Sequence, residues 1–355
     1  MSTPTIRHIY RWDLDKTYLR TEFDTVRDLI RTALQRPEEK VNVPGVVTLL
    51  KELTRPADDG NAYVTFISGS PSQMRGKLEK KFEIDGIKPD VFILKPTLQN
   101  ILKGRFRAIR GQIGYKLQNL LELREEGPQA PETLFGDDTE QDAFIYSLYA
   151  DLAAGKIDRD LLFEILDEAR VYSPTRARIL DRFSRMRQSE DVGRIFIHLD
   201  QHTAPGRFLV YGPRVIPITN YFQAALVLFS DGVFSLESVL RVASGMVRDH
   251  GYGVNQLGNS FQDLIRRRHL DRSSIDRLAE QEELLQSDSG SRSLSDVRLP
   301  PGFFAGLVSR VRALAPRQTI AADKTWEGPP DYLGVLKADQ RLREKLDPEP
   351  GLFKR

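Results

Sequence analysis

Asp13-Leu14-Asp15-Lys16-Thr17 places two carboxylates one residue apart, with a hydroxyl two further on, directly after the apolar run from Ile6 to Trp12. That pairing suits phosphoryl transfer: one carboxylate attacks phosphorus and forms an aspartyl-phosphate while the other moves the proton. A second loaded stretch is Ser68-Gly69-Ser70-Pro71, after the apolar run from Ala62 to Ile67. A hydroxyl at the carboxyl end of a strand, beside glycine, can bind a phosphate oxygen alongside free backbone N–H groups. Ser70 also reads as a helix N-cap with Pro71 in the first helical position, which leaves Ser68 free.

Lys116 is the third candidate. Leu117, Leu120 and Leu121 form an apolar stripe at helical spacing, which predicts Lys116 near a helix start. A lysine there can neutralise a phosphate and the attacking carboxylate, and Lys95 and Lys103 are its rivals. The fourth stretch runs from Glu132 to Gly136 as a strand and then supplies Asp137, Asp138 and Asp142. Hard oxygen donors gathered at a strand end are what Mg2+ wants. Glu140 and Asp142 also suit a helix N-terminus by charge, an explanation that fits Asp137 less well.

In order and spacing these stretches resemble the motif set of the haloacid dehalogenase superfamily of phosphohydrolases. Within it, the chain is similar to the phosphatidate phosphatase catalytic domain of the yeast actin-patch-associated type and its bacterial relatives. The likeness rests on Asp13-Leu14-Asp15-Lys16-Thr17, Ile67-Ser68-Gly69-Ser70-Pro71, Lys116-Leu117, and Phe135-Gly136-Asp137 leading to Asp142, Ile145 and Tyr146; Pro44-Gly45-Val46 before an amphipathic helix also fits. It covers roughly residues 5–235. The resemblance implies Asp13 as nucleophile, Asp15 as general acid and base, and Ser68, Gly69 and Lys116 as phosphate-holding groups. It further implies Mg2+ as cofactor, with Asp13, Asp15 and Asp137 as the metal set and Asp142 in support. Asp138-Thr139-Glu140 departs from the smaller residues of relatives, so the second acidic role is open between Asp138 and Asp142.

The chain has 355 residues, enough for about two domains, and is 40% hydrophobic. It has no cysteine, which excludes a disulfide framework and thiol chemistry. With 52 basic and 50 acidic residues, bulk charge points to neither nucleic acid nor membrane. No apolar amino-terminal signal and no run of transmembrane length is seen, so a cytoplasmic protein is expected.

Strands expected at 6–12, 62–68, 91–94, 132–136 and 192–199 alternate with helices, including ones near 24–36, 44–55 and from Pro71 to about Phe82. This pattern predicts an α/β fold: a Rossmannoid parallel sheet of haloacid dehalogenase type, with a helical insertion and a C-terminal helical extension. The expected division is a phosphatase domain over 1–235 with the insertion at about 156–190, a helical extension over 236–285, and a flexible linker and tail over 286–355. Phe208-Leu209-Val210-Tyr211 and a helix over 219–231 are expected to complete the sheet's edge. The basic stretch Lys103, Arg105, Arg107, Arg110 is a candidate contact for an anionic head group, and His198, Asp200 and His202 have metal-capable spacing.

The expectation is a Mg2+-dependent phosphomonoester hydrolase, with phosphatidate-type lipids as substrate and a peripheral membrane contact by resemblance only. The alternatives are a phosphatase for a soluble or nucleic-acid end phosphate, and a catalytically silent module that senses phosphate or lipid. The presence of both Asp13 and Asp15 favours catalysis.

Overall fold

The computed structural model describes residues 5–21, 35–57, 60–96, 105–287, 299–314 and 328–346. Six strands form one sheet in the order β3-β2-β1-β4-β5-β6, and every neighbouring pair is parallel. They are β1 (Ile6–Trp12), β2 (Asn61–Pro71), β3 (Val91–Lys95), β4 (Glu132–Asp137), β5 (Val192–His198) and β6 (Val215–Ile218). The order reverses between β1 and β4, and such a switch point opens a crevice at the carboxyl ends of the strands. This is a Rossmann-like α/β fold.

Side chains alternate across the sheet, so each strand feeds two cores. Trp12, Phe66, Phe135 and Phe196 point to one face, and Ile67, Leu134, Ile195 and Ile197 to the other. The Trp12 and Phe135 rings stack at 3.8 Å between centroids, which locks β1 to β4 just beneath Asp13. The first face is covered by α1 (Val46–Leu53) and α2 (Arg75–Asp85), and the second by α3 (Arg105–Glu126), α4 (Asp142–Ala153), α5 (Arg159–Glu168) and α6 (Ser173–Arg185). In α1, Val46, Leu49, Leu50 and Leu53 recur at helical spacing and are all buried.

The later chain returns to the first face. Helix α7 (Tyr221–Ser230) is buried from Tyr221 to Phe229, which explains why it is apolar all round. Around it lie α8 (Leu236–His250), α9 (Val254–Arg266), α10 (Arg272–Ser287) and α11 (Phe303–Leu314). Glu52 of α1 accepts from Arg241 of α8 at 2.7 and 2.8 Å. The last helix, α12 (Tyr332–Leu346), packs on the second face through Tyr332 and Leu336.

Three details depart from the sequence expectations. Strand β2 continues to Pro71, and α2 starts only at Arg75 after a 3-10 turn over Ser72–Met74, so Ser70 is no helix cap. The run Pro205–Tyr211 is a 3-10 helix rather than a strand, and the sheet's edge is β6 instead. Pro217 sits inside β6 because an edge strand has a side that donates no ladder bonds. Stretch 286–355, expected as linker and tail, contains α11 and α12, with Phe303, Phe304, Leu307 and Val308 buried in the first core. The helix expected near 24–36 falls mostly outside the described residues.

Candidate active site

Asp13 follows the last residue of β1, and its N–H donates to Phe135 O of β4 at 2.8 Å. Leu14 is buried in the first core, so the turn is pulled down between two polar neighbours. Lys16 adopts a left-handed conformation with φ 60°, unusual for a side-chain-bearing residue and common at functional turns. Two partners hold that turn: His198 Nδ1–H donates to Lys16 O at 2.8 Å, and Tyr221 OH to Thr17 O at 2.6 Å.

Lys116 lies midway along α3, on the face that buries Ile113, Leu117 and Leu120, and is fully shielded from solvent. It was expected near a helix start; α3 begins at Arg105 instead. Its ammonium meets Asp13 at 2.8 Å, Glu140 at 2.7 Å, and Asp142. Asp142 opens α4 and reaches back under β4, where it also accepts from Asp137 N–H at 3.2 Å. Gly136 permits this, because a Cβ there would lie 2.5 Å from Asp142 Oδ2. Asp137 ends β4, and its Oδ1 accepts from the Thr139 hydroxyl and from Glu140 N–H.

Asp15 points the other way, toward the end of β2. The Ser70 hydroxyl donates to it at 2.7 Å and the Ser68 hydroxyl at 3.1 Å. Ser68 Oγ in turn accepts from Ser70 N–H at 2.9 Å, and Tyr115 OH donates to Ser68 O at 3.1 Å.

The electrostatics follow from four carboxyls packed round one ammonium. Burial, with Asp142, Glu140 and Asp137 adding repulsion, pushes Asp13 well above the usual carboxylate range against the pull of Lys116. Burial, with Asp142 and Glu140 adding repulsion, pushes Asp137 up, and burial raises Asp142 to about 6. Burial alone would lower Lys116, but Asp13, Asp142 and Glu140 hold it protonated. Asp15 is also raised, by burial, against the hydrogen bond from Ser70.

One side of this cluster is built for a cation. Asp13, Asp137 and Asp142 each offer a carboxylate oxygen within 4.8 Å of the others. Asp13 Oδ2 and Asp137 Oδ2 are buried without a hydrogen-bond partner. Orphaned buried oxygens in an acidic group are costly unless something positive completes them, so the residues fit a hard divalent ion.

Residues 12–159 match the family model for the catalytic domain of phosphatidate phosphatase APP1. The match bears out the likeness read from the sequence and is consistent with the haloacid dehalogenase superfamily. No curated protein and no solved structure matches the chain. The span matched to APP1 takes in every acidic, seryl and lysyl group described so far and stops before β5.

Several sequence candidates fall elsewhere. Asp138 turns out of the cluster and accepts from Gln201 N–H at 2.8 Å and Thr203 N–H at 3.0 Å, so Asp142 is the acid brought to Lys116. The expected metal set included Asp15; the geometry groups Asp142 with Asp13 and Asp137, and gives Asp15 to the serines. His198 and Asp200 serve Lys16, the latter at 3.5 Å from its ammonium, and among the described residues they form no metal cluster with His202. Lys95, the rival lysine, lies 5.2 Å over the Tyr115 ring and donates to Gln112 at 3.1 Å. Lys103 and the side chains of Arg105, Arg107 and Arg110 lie outside the described residues.

Sequence reasoning missed Gln112 and explained Glu140 only as charge at a helix N-terminus. Gln112 donates to Glu140 at 2.6 Å and packs on Gly69, where a Cβ would lie 2.6 Å from its amide nitrogen. The one signal for Gln112 is its place four residues before Lys116, one helical turn away. Among the described residues no helix is long and apolar enough to cross a membrane.

Proposed function

We propose that this protein is a phosphomonoester hydrolase of phosphatidate phosphatase type, working through an aspartyl-phosphate on Asp13. The observation that carries the reading is the Asp13 carboxylate itself. It is anchored at 2.8 Å to a fully buried lysine, with its second oxygen unpaired, at the switch point of a parallel sheet.

The Asp13 carboxylate attacks phosphorus in line, forming the acyl-phosphate bond as the ester oxygen leaves. Lys116 offsets the repulsion between that carboxylate and the anionic ester. Asp15, whose carboxyl holds its proton more tightly than usual, gives that proton to the leaving oxygen. It then takes a proton from the water that opens the aspartyl-phosphate, releasing inorganic phosphate and restoring Asp13. Ser68, with backbone N–H groups around Gly69, supplies donors for the phosphoryl oxygens. Asp13, Asp137 and Asp142 would hold Mg2+, which when bound neutralises phosphate oxygens and the attacking carboxylate.

Phosphatidate-type lipids are the favoured substrate, on the family match alone. The test is phosphate release from a panel, with and without Mg2+: phosphatidate in mixed micelles, a soluble aryl phosphate and a 5′-phosphorylated oligonucleotide. Metal-dependent release, greatest with phosphatidate, is the expected result. Release greatest from another member would move the substrate class, and none from any member would overturn the reading.

A further inference from the structure

Both groups that would hold a substrate phosphate are already occupied by the protein's own carboxylates. The Ser68 hydroxyl donates to Asp15, and the Lys116 ammonium faces Asp13, Glu140 and Asp142. Three carboxylates crowd that one ammonium, and Glu140 Oε2 sits 2.7 Å from it without a hydrogen bond of its own, an ion-pair contact in the place a ligand oxyanion would take. Asp13 and Asp142 are fixed: both side chains are fully buried, and Asp142 is wedged under Gly136. Glu140 differs, because its side chain is 26% exposed and it rides on the short loop between β4 and α4.

A latch holds Glu140 in this position. Its Oε1 accepts from Gln112 Nε2 at 2.6 Å, and Gln112 Oε1 accepts from Lys95 at 3.1 Å. Lys95 ends β3, so the chain Lys95–Gln112–Glu140 runs across the crevice from β3 to the β4 loop, above Gly69.

We infer that Glu140 is an internal anion that fills the phosphoryl seat on Lys116, and that it leaves this seat when a phosphate or phosphomonoester binds. The inference rests on the phosphatase reading and adds to it an affinity-setting residue. Glu140 weakens every oxyanion that competes for Lys116, inorganic phosphate included, so product does not linger in the site. Lys95 and Gln112 set how firmly the seat is kept.

The test is calorimetric titration of the full chain with inorganic phosphate in saturating Mg2+. Glu140→Gln keeps the shape and removes the charge; phosphate should bind it at least about tenfold tighter than the wild type, with the thermal melt unchanged. Gln112→Leu keeps the charge and cuts the latch, and should tighten binding by a smaller factor. The double variant should match Glu140→Gln alone, since the latch acts only through that carboxylate. If Glu140→Gln does not fold, Gln112→Leu decides. Unchanged or weaker binding in the deciding variant, or no phosphate binding by any protein, would overturn the inference. Failure of the phosphatase reading shows separately, as absent turnover of phosphomonoesters by the wild type, and leaves the binding comparison readable.

Discussion

Strand β4 carries a buried charge cluster at each end, and β1 contributes a residue to both, Arg11 to one and Asp13, just past its end, to the other. At the amino-terminal end, Glu132 takes Arg11, Arg124 at 2.8 Å and Tyr149 OH at 2.9 Å, while Arg124 also reaches Asp191 at 2.8 Å. Two guanidiniums face two carboxylates, and none of these side chains is left without a partner. Five residues along β4, about 16 Å at strand rise, the second cluster sets one ammonium against Asp13, Asp137, Glu140 and Asp142 and leaves carboxylate oxygens orphaned. The two neighbourhoods share strands, burial and residue types. The balanced one is a closed account of charge; the unbalanced one calls for a cation or proton from outside, as binding sites do.

If that contrast is right, substitutions should divide cleanly. Asp13→Asn should reduce phosphate release by at least about a thousandfold, as loss of a nucleophile does, while its melting temperature stays level or rises through relief of repulsion. Retained hydrolysis by a well-folded Asp13→Asn protein would break the division at its strongest point. Glu132→Ala should do the reverse. It strands two arginines, Arg11 fully buried, so unfolding in denaturant should show a loss of about 3–5 kcal/mol, with turnover per folded molecule largely kept.

Smaller effects sharpen the same comparison. Mg2+ at a hundred times its dissociation constant should stabilise the folded wild type by about 2.7 kcal/mol, read as a shift of the thermal melt. Asp137→Asn should shrink that shift, whereas a substitution at Glu132 should leave it in place. His8 belongs to the balanced end: its Nε2 meets Thr133 Oγ1 at 2.9 Å, and burial, with Arg7 nearby, lowers its pKa to about 4. The unfolded chain therefore binds a proton that the folded one refuses. The neutral ring's contribution is complete above about pH 6.5 and is lost as pH falls toward about 4. His8→Gln should remove about 1–3 kcal/mol of this acid sensitivity, measured as the difference in unfolding free energy between pH 7 and pH 4.5.

Much of the parallel sheet was legible because its strands are short apolar runs ending at turn residues, and β1, β3, β4 and β5 lie within a residue or so of expectation. Strand β6 escaped because Val-Ile-Pro-Ile carries a proline that only an edge position accommodates. Pro205–Tyr211 deceived in the opposite sense: its apolar run packs Phe208 inward from a 3-10 turn and leaves Leu209 exposed. Helix α11 is signalled by Phe303, Phe304, Leu307 and Val308 at helical spacing, a pattern masked by the charged and proline-rich stretch around it.

At the site, Asp13, Asp15, Ser68, Lys116, Asp137 and Asp142 could be named because strand ends and motif order point to them. Their pairings could not be. Asp15 chooses Ser70, 55 residues away, and Glu140 reaches Gln112, 28 residues away, through contacts that exist only once the sheet has formed. Asp138 and Asp142 were indistinguishable in sequence; the turn after Gly136 separates them by sending one outward to the β5 loop and the other under the strand.

The central claim is that Asp13 carries the phosphoryl group. Its most direct test is rapid-quench mixing of the full chain with Mg2+ and a phosphomonoester that it turns over, followed by mass spectrometric mapping of the acid-stopped protein. The account predicts an acid-stable, base-labile phosphoryl group on the peptide containing Asp13 that rises and decays with turnover. Phosphate release with the group on another residue, or with none on Asp13 at any quench time, would contradict it.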